Sequence, residues 1–193
     1  MLDRSIPYFD VIMKRLPGMP IPECPLPAGY AITPFTVGGE LRWAEIEASA
    51  GEFLSEEEAV EYFRRTYLPL VDELEKRLLF VENARGEAVG TIMCWWDYTG
   101  GRRDPSIHWF AVKRECQGIG LGKALVAACL REMIGLEGDR SIYLHTQTWS
   151  YKAVRLYSRF GFEIVRGETF ASYRNDYDQA MPILDALLRP EGE

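Results

Sequence analysis

Residues 112–125 read Val-Lys-Arg-Glu-Cys-Gln-Gly-Ile-Gly-Leu-Gly-Lys-Ala-Leu, and this stretch restricts the fold more than any other. An apolar, strand-like run at 107–112 leads into it, with Pro105 standing just before. Behind it, Leu121, Leu125, Cys129 and Met133 recur at helical spacing. The order is strand, glycine-rich turn, helix. Gly118, Gly120 and Gly122 leave the backbone bare, so successive N–H groups can converge at the helix start, where they are unpaired and the macrodipole is positive. Such a turn holds anions, phosphate above all. The spacing predicts a phosphate or pyrophosphate cradle at 117–123. It is not a P-loop, because Ala124 occupies the place of the magnesium-binding hydroxyl, and Gly-x-Gly-x-Gly is a poor match to a dinucleotide fingerprint.

Gln117-Gly118-Ile119-Gly120-Leu121-Gly122, after a strand ending in Val112, resembles the acetyl-coenzyme A pyrophosphate loop of the GNAT superfamily of N-acetyltransferases, Gln/Arg-Gly-x-Gly-x-Gly/Ala. Further on, Ser150-Tyr151-Lys152-Ala153-Val154-Arg155-Leu156-Tyr157-Ser158-Arg159-Phe160-Gly161-Phe162 resembles that family's second signature, Asn-x-x-Ala-x-x-x-Tyr-x-x-x-Gly-Phe, with Ser150 standing for the Asn. The resemblance implies an α/β (α+β) GNAT fold. Its central sheet is mixed and mostly antiparallel, of six to seven strands, splayed at the coenzyme A site, with helices on both faces. It also implies acetyl-CoA as co-substrate. The coenzyme would lie against Phe110, Ala111 and Val112, the turn residues Gln117, Gly118, Ile119, Gly120, Leu121, Gly122 and Lys123, and Ser150, Ala153 and Tyr157.

Composition narrows the partners. A net charge of −7 argues against nucleic acid and is compatible with a cationic amine. No run approaches the roughly 20 apolar residues of a membrane span. The start, Met1-Leu2-Asp3-Arg4, lacks a signal peptide's basic and apolar regions, so a cytoplasmic location is expected. Cys24, Cys94, Cys116 and Cys129 have no metal-ligand spacing and are expected to be free thiols, and no metal is expected.

Six of the eleven prolines (Pro7, Pro17, Pro20, Pro22, Pro25 and Pro27) precede residue 30. This density predicts an extended arm over 1–29, packed on the domain or on a partner subunit of a possible homodimer, with one acetyltransferase domain at 30–193. Within that domain, strands are expected at 30–35, 78–82, 88–96, 107–112, 141–146 and 162–165, and a further one at 169–173. The segment 97–105 reads as a polar loop. Helices are expected at 41–50, after the capping box Ser55–Glu58, at 70–76, after Gly122, after Ser150 and at Tyr177–Leu188.

The chemistry follows from the resemblance. An amine attacks a thioester, an oxyanion develops, and a thiolate leaves. The family's oxyanion donor is a backbone N–H that falls at Phe110, and Val112 would pair with the pantetheine amides. Tyr157 stands where the family's tyrosine protonates the leaving sulfur. Strand alternation puts Ser106, His108, Phe110 and Val112 on one face. Many relatives carry a Glu where this chain has Ser106, so His108 is the candidate base, with His145 or a water-relayed Glu or Asp as alternatives. The expected activity is acetyl transfer to a primary amine, on a small molecule or a protein, in a ternary complex. The alternative is a non-catalytic acyl-CoA sensor on the same fold.

Overall fold

The computed structural model describes residues 2–189. Seven strands form one sheet. In spatial order they are β2 (Tyr30–Pro34), β3 (Leu78–Asn83), β4 (Ala88–Thr99), β5 (Arg102–Val112), β6 (Ile142–Gln147), β1 (Asp10–Arg15) and β7 (Phe162–Ile164). All neighbours are antiparallel except β5 and β6, which run parallel. Six helices are attached: α1 (Glu40–Ala50), α2 (Glu56–Thr66), α3 (Val71–Arg77), α4 (Leu121–Glu137), α5 (Tyr151–Ser158) and α6 (Tyr177–Leu188). This is the mixed, mostly antiparallel sheet expected from the sequence. None of the described helices is long and apolar enough to cross a membrane.

Strand periodicity divides the core into two layers. Leu79, Val81, Val89 and Cys94 face α4, whose Leu121, Leu125, Cys129 and Met133 form its buried stripe, and α5 and α6 extend that layer. Leu78, Phe80, Met93 and Trp95 face the other way, onto Trp43 and Ile46 of α1, Phe63 of α2 and Leu74 of α3. Ser55 begins α2 with its Oγ accepting from the Glu58 N–H at 3.2 Å, while the Glu58 carboxylate accepts from Leu54 N at 3.0 Å rather than from Ser55. The chain leaves α2 at Thr66, and Pro69 sits in a 3-10 turn before α3, as its ring requires.

Three expectations are corrected. First, the segment 1–29 is not an arm outside the sheet. Asp10–Arg15 pairs with β6 on one side and β7 on the other, with Val11, Ile12 and Met13 fully buried. An apolar run without alternation is what a strand covered on both faces requires. The proline-rich remainder carries the chain to the opposite edge at β2 and lays Ile21, Cys24 and Leu26 against the α4 layer. Second, 97–105 is not a loop. β4 and β5 continue as one long hairpin that turns at Gly100 and Gly101, with Thr99 opposite Arg102 and Pro105 opposite Trp96. Third, 169–173 is a turn and not a strand. Its Phe170 stacks on Tyr143 at 5.0 Å, and Tyr173 stacks on His145 at 4.1 Å.

Candidate active site

The site begins with two irregularities of β5. Pairing with β4 passes from Met93–His108 to Thr91–Ala111, so Trp109 and Phe110 together oppose Ile92, and Trp109 takes a positive φ of 46°. This bulge reverses the alternation. His108, expected to share a face with Phe110 and Val112, instead turns toward Tyr67 and Asp97, while Phe110 and Val112 face the α4 layer. On its other side β5 meets β6 at a single position, Ser106 opposite Tyr143. Beyond that point the parallel strands part, as the resemblance implies. The backbone from 107 to 112 is thus left unpaired along that side, an edge that an extended ligand can join.

Two cavities open where the strands separate. One, of about 260 Å³, runs past Phe110, Ala111, Val112, Gln117, Gly118 and Gly122 on one wall and Ser150 and Ala153 on the other. The glycine turn borders it. Gly118 and Gly120 have φ of 84° and 102°, a region L side chains avoid, and nothing lies within 4 Å of where a Cβ would stand on either. Gly120 is the N-cap of α4 and supplies no capping side chain, so the first N–H groups of that helix remain available for an anion. The Gln117 side chain turns back to donate to Val112 O at 2.8 Å. Of the other expected contacts, Ile119 is half exposed, Lys123 is exposed, and Leu121 points into the core, so Leu121 can serve only through its backbone. Ser150 is the N-cap of α5 but makes no capping hydrogen bond through its side chain. Burial pushes the Cys116 thiol up, away from a reactive thiolate.

The second cavity, of about 400 Å³, shares Phe110, Ser150, Ala153 and Glu52 with the first, so the two meet beside Phe110. Tyr157 lines it there. Its ring lies edge-on to Phe110 at 5.9 Å and tilted against Phe162 at 5.8 Å. Burial, together with Cys129, Glu47 and Glu52 nearby, pushes the phenol well above its ordinary value, so it stays protonated.

On the far wall His108 is held at both ring nitrogens, by Tyr67 Oη to Nδ1 at 3.0 Å and by Asp97 Oδ2 to Nε2 at 2.7 Å. Trp109 Nε1–H donates to Tyr67 Oη at 2.8 Å. One proton arrangement satisfies all three contacts: the Tyr67 hydroxyl donates to Nδ1, and Nε2–H donates to Asp97. A second pair, His145 Nε2 and Asp10 Oδ1 at 3.0 Å, lies on the neighbouring wall. Residues 3–9 close that side through Asp3 N to Trp149 O at 2.9 Å, Trp149 Nε1 to Ile6 O at 2.7 Å and Thr148 Oγ1 to Pro7 O at 2.5 Å.

The sequence reading missed Glu47, Asp97 and this N-terminal segment, whereas Tyr62 and Tyr67, which the family resemblance would place near an acceptor pocket, do line the larger cavity. Glu47 lies on α1, is 0% exposed, and has no hydrogen-bond partner at either carboxylate oxygen. It shares the buried stripe of α1 with Trp43 and Ala44, and a carboxylate on an apolar helical face was the available signal.

Residues 41–162 match the family model described as the acetyltransferase (GNAT) family. A mycothiol acetyltransferase of Streptomyces coelicolor is 27% identical over 169 residues, covering 86% of this chain and 52% of that protein. Another, of Streptomyces bingchenggensis, is 30% identical over 174 residues, covering 85% and 53%. The chain spans about half the length of these relatives. Among solved structures, a GCN5-related N-acetyltransferase from Sphaerobacter thermophilus shares the fold, with a TM-score of 0.62 at 23% identity over 81% of this chain and 48% of that one. The family match runs from the first turn of α1 to the start of β7, well over half of the chain, and the protein belongs to the acetyltransferase (GNAT) family.

Proposed function

We propose that the protein transfers an acetyl group from acetyl-CoA to a primary amine, directly, with both substrates bound. The observation that carries this reading is the meeting of the two cavities beside Phe110, one bordered by the glycine turn and the other by carboxylates and aromatic rings. The residues fit the coenzyme. Open Cβ positions at Gly118 and Gly120 and an uncapped α4 suit a pyrophosphate, and the unpaired side of β5 suits the amides of an extended arm. When bound, acetyl-CoA supplies an activated thioester carbon. The Phe110 N–H, freed by the parting of β5 from β6, is assigned the developing oxyanion. Tyr157 is assigned the acid, because its hydroxyl is protonated and stands at the junction. Both ring nitrogens of His108 are engaged, so it is assigned the positioning of the Tyr67 hydroxyl, with Asp97 fixing its tautomer. The names of the Streptomyces relatives support acetyl transfer as the reaction class.

The test is a panel of primary amines with acetyl-CoA, read as free thiol. Amine-dependent thiol release is expected. Acetyl-CoA binding without release on any amine would replace this reading with an acyl-CoA sensor, and absence of binding would refute both.

A further inference from the structure

We propose that Glu47 is the ammonium-binding group and proton acceptor of the larger cavity, and that this cavity takes a singly charged primary amine on an aromatic-sized body. The proposal rests on acetyl transfer as the reaction and names the group that receives the acceptor.

Three observations converge on it. Glu47 is fully buried, and neither carboxylate oxygen has a partner. Such a group is expensive to bury, and on folding grounds alone an apolar residue would serve α1 better. Yet Glu47 lines the 400 Å³ cavity, whose wall also includes Phe110 and Tyr157, and it acts electrostatically on the Tyr157 phenol. Finally, no Lys or Arg among the described residues pairs with it. Among the described residues Arg4 is the one Lys or Arg lining this cavity, and it donates to Gly51 O at 2.9 Å, lies over the Trp149 ring at 5.1 Å and acts electrostatically on Glu52. A buried carboxyl group with no partner at either oxygen, lining a cavity, is a receptor for a cationic ligand.

The surrounding groups tune it. Burial penalises the charged form, and Glu52, just past the C-cap of α1, repels a second negative charge, so the Glu47 carboxyl holds its proton far more tightly than usual. From the other elements, Asp97 of β4 is engaged by His108 of β5, and burial keeps the phenols of Tyr67 and Tyr157 protonated. In the empty cavity Glu47 is therefore a neutral acid. An arriving R–NH3⁺ displaces that proton to solvent and forms the pair R–NH3⁺···⁻OOC. The high proton affinity of the carboxylate then draws one proton across, giving R–NH2 and HOOC, and the nitrogen lone pair is free to attack. When the nitrogen adds to the carbonyl carbon and the C–S bond breaks, Tyr157 gives its proton to the sulfur and regains one from the nitrogen. Glu47 returns to its neutral resting form, so the one proton released overall is the one displaced on binding. The body of the acceptor meets Tyr62, Trp109 and Tyr173, which favour a ring or a similarly flat apolar group.

The test uses two probes, 2-phenylethylamine and its neutral counterpart 2-phenylethanol, with binding measured by calorimetry near neutral pH. The wild type is expected to prefer the amine by about 10- to 100-fold, the range for a hydrogen bond to a charged partner, and Glu47→Gln to lose that preference. No preference in the wild type, no binding of either probe, or an unchanged preference in the Gln variant overturns the proposal. Rates of thiol release against pH test the proton-accepting half. In Glu47→Gln the ascending limb should move up to the acceptor's own pKa, because only the free neutral amine then reacts. In His108→Gln the limb should stay where the wild type has it. An unmoved limb in Glu47→Gln, or a limb moved equally in both variants, overturns the assignment. A wild type that binds the amine with this preference but never releases thiol refutes acetyl transfer while leaving the ammonium site standing.

Discussion

Tyr157→Phe separates chemistry from packing at the junction of the two cavities. The substitution removes one oxygen and leaves the ring contacts with Phe110 and Phe162 in place. The hydroxyl makes no hydrogen bond to another described residue, so none is lost with it. Relief of its desolvation should leave stability unchanged or raised by up to about 1 kcal/mol, a melting shift of roughly 0 to +4 °C for a chain of this size. If Tyr157 is the acid, its loss should lower kcat on the order of a hundredfold, about 2.7 kcal/mol of barrier. The affinity for acetyl-CoA should hold, because the turn that would bind the pyrophosphate is untouched. Burial and the nearby carboxylates keep the phenol protonated through any practical assay range, so the wild-type rate should show no descending limb from Tyr157 below its ordinary value of 10. The assays are thiol release at saturating acetyl-CoA, calorimetric affinity and thermal melting, run on the same preparations. A variant with wild-type kcat would remove Tyr157 from the mechanism. One that loses several degrees of melting temperature together with kcat would make the tyrosine a packing residue.

Gly120→Asp forces a side chain into a backbone with φ of 102° and places a negative charge at the uncapped start of α4. Acetyl-CoA affinity should fall at least about tenfold by calorimetry with the fold retained by circular dichroism, and unchanged affinity would rule out the cradle. Glu47→Gln should raise the melting temperature, increasingly so as pH rises from about 4.5. Below that pH both folded and unfolded chains hold the Glu47 proton, above it the unfolded chain loses the proton first, and wild-type stability declines until the buried carboxyl itself ionises. A Gln variant less stable than the wild type near neutral pH would mean that Glu47 has a partner in the folded state. His108→Gln should retain a hydrogen bond to Asp97 or Tyr67, melt close to the wild type, and lose activity through misplacement of Tyr67.

How far the sequence could be read depended on whether each feature had a local cause. The glycine turn, the tight turn that joins β3 to β4 at Asn83-Ala84-Arg85-Gly86 and the break at Pro69 are dictated by single residues whose backbone preferences act without tertiary help. β1 was hidden because the prolines at 17–27 coloured the whole N-terminal segment, although Asp-Val-Ile-Met-Lys-Arg lies clear of them and has the continuous apolar run of a central strand. The outer half of the β4–β5 hairpin escaped because its residues are polar. They are tied to one another, through Thr99 Oγ1 to Asp104 at 2.6 Å and Arg102 Nε to Asp104 at 2.6 Å, and not to a core that alternation could betray. The bulge had no signal at all. A positive φ normally announces itself as glycine or asparagine, whereas here a tryptophan adopts it. Conformational strain of about 1–3 kcal/mol is offset by tertiary contacts that only the folded chain reveals: the indole donates to Tyr67 and stacks on Phe53 at 5.2 Å.

That bulge and Glu47 together bear on which group would take the amine's proton. Turning His108 away from Phe110 leaves Glu47 and Tyr157 as titratable groups of the same cavity that feel one another's charge. On the proposed mechanism Glu47 is neutral in the empty cavity and neutral again once it has taken the amine's proton, and in the ammonium pair its negative charge is offset by the cation. At no stage would an uncompensated carboxylate oppose the transfer of a proton from Tyr157 to the leaving sulfur. A histidine base on the same spot would instead become cationic on taking the proton and be left as a buried charge without a partner. A buried, unpartnered carboxyl costs stability, and in the proposed mechanism the same high proton affinity is what would let it strip an ammonium without leaving a charge behind.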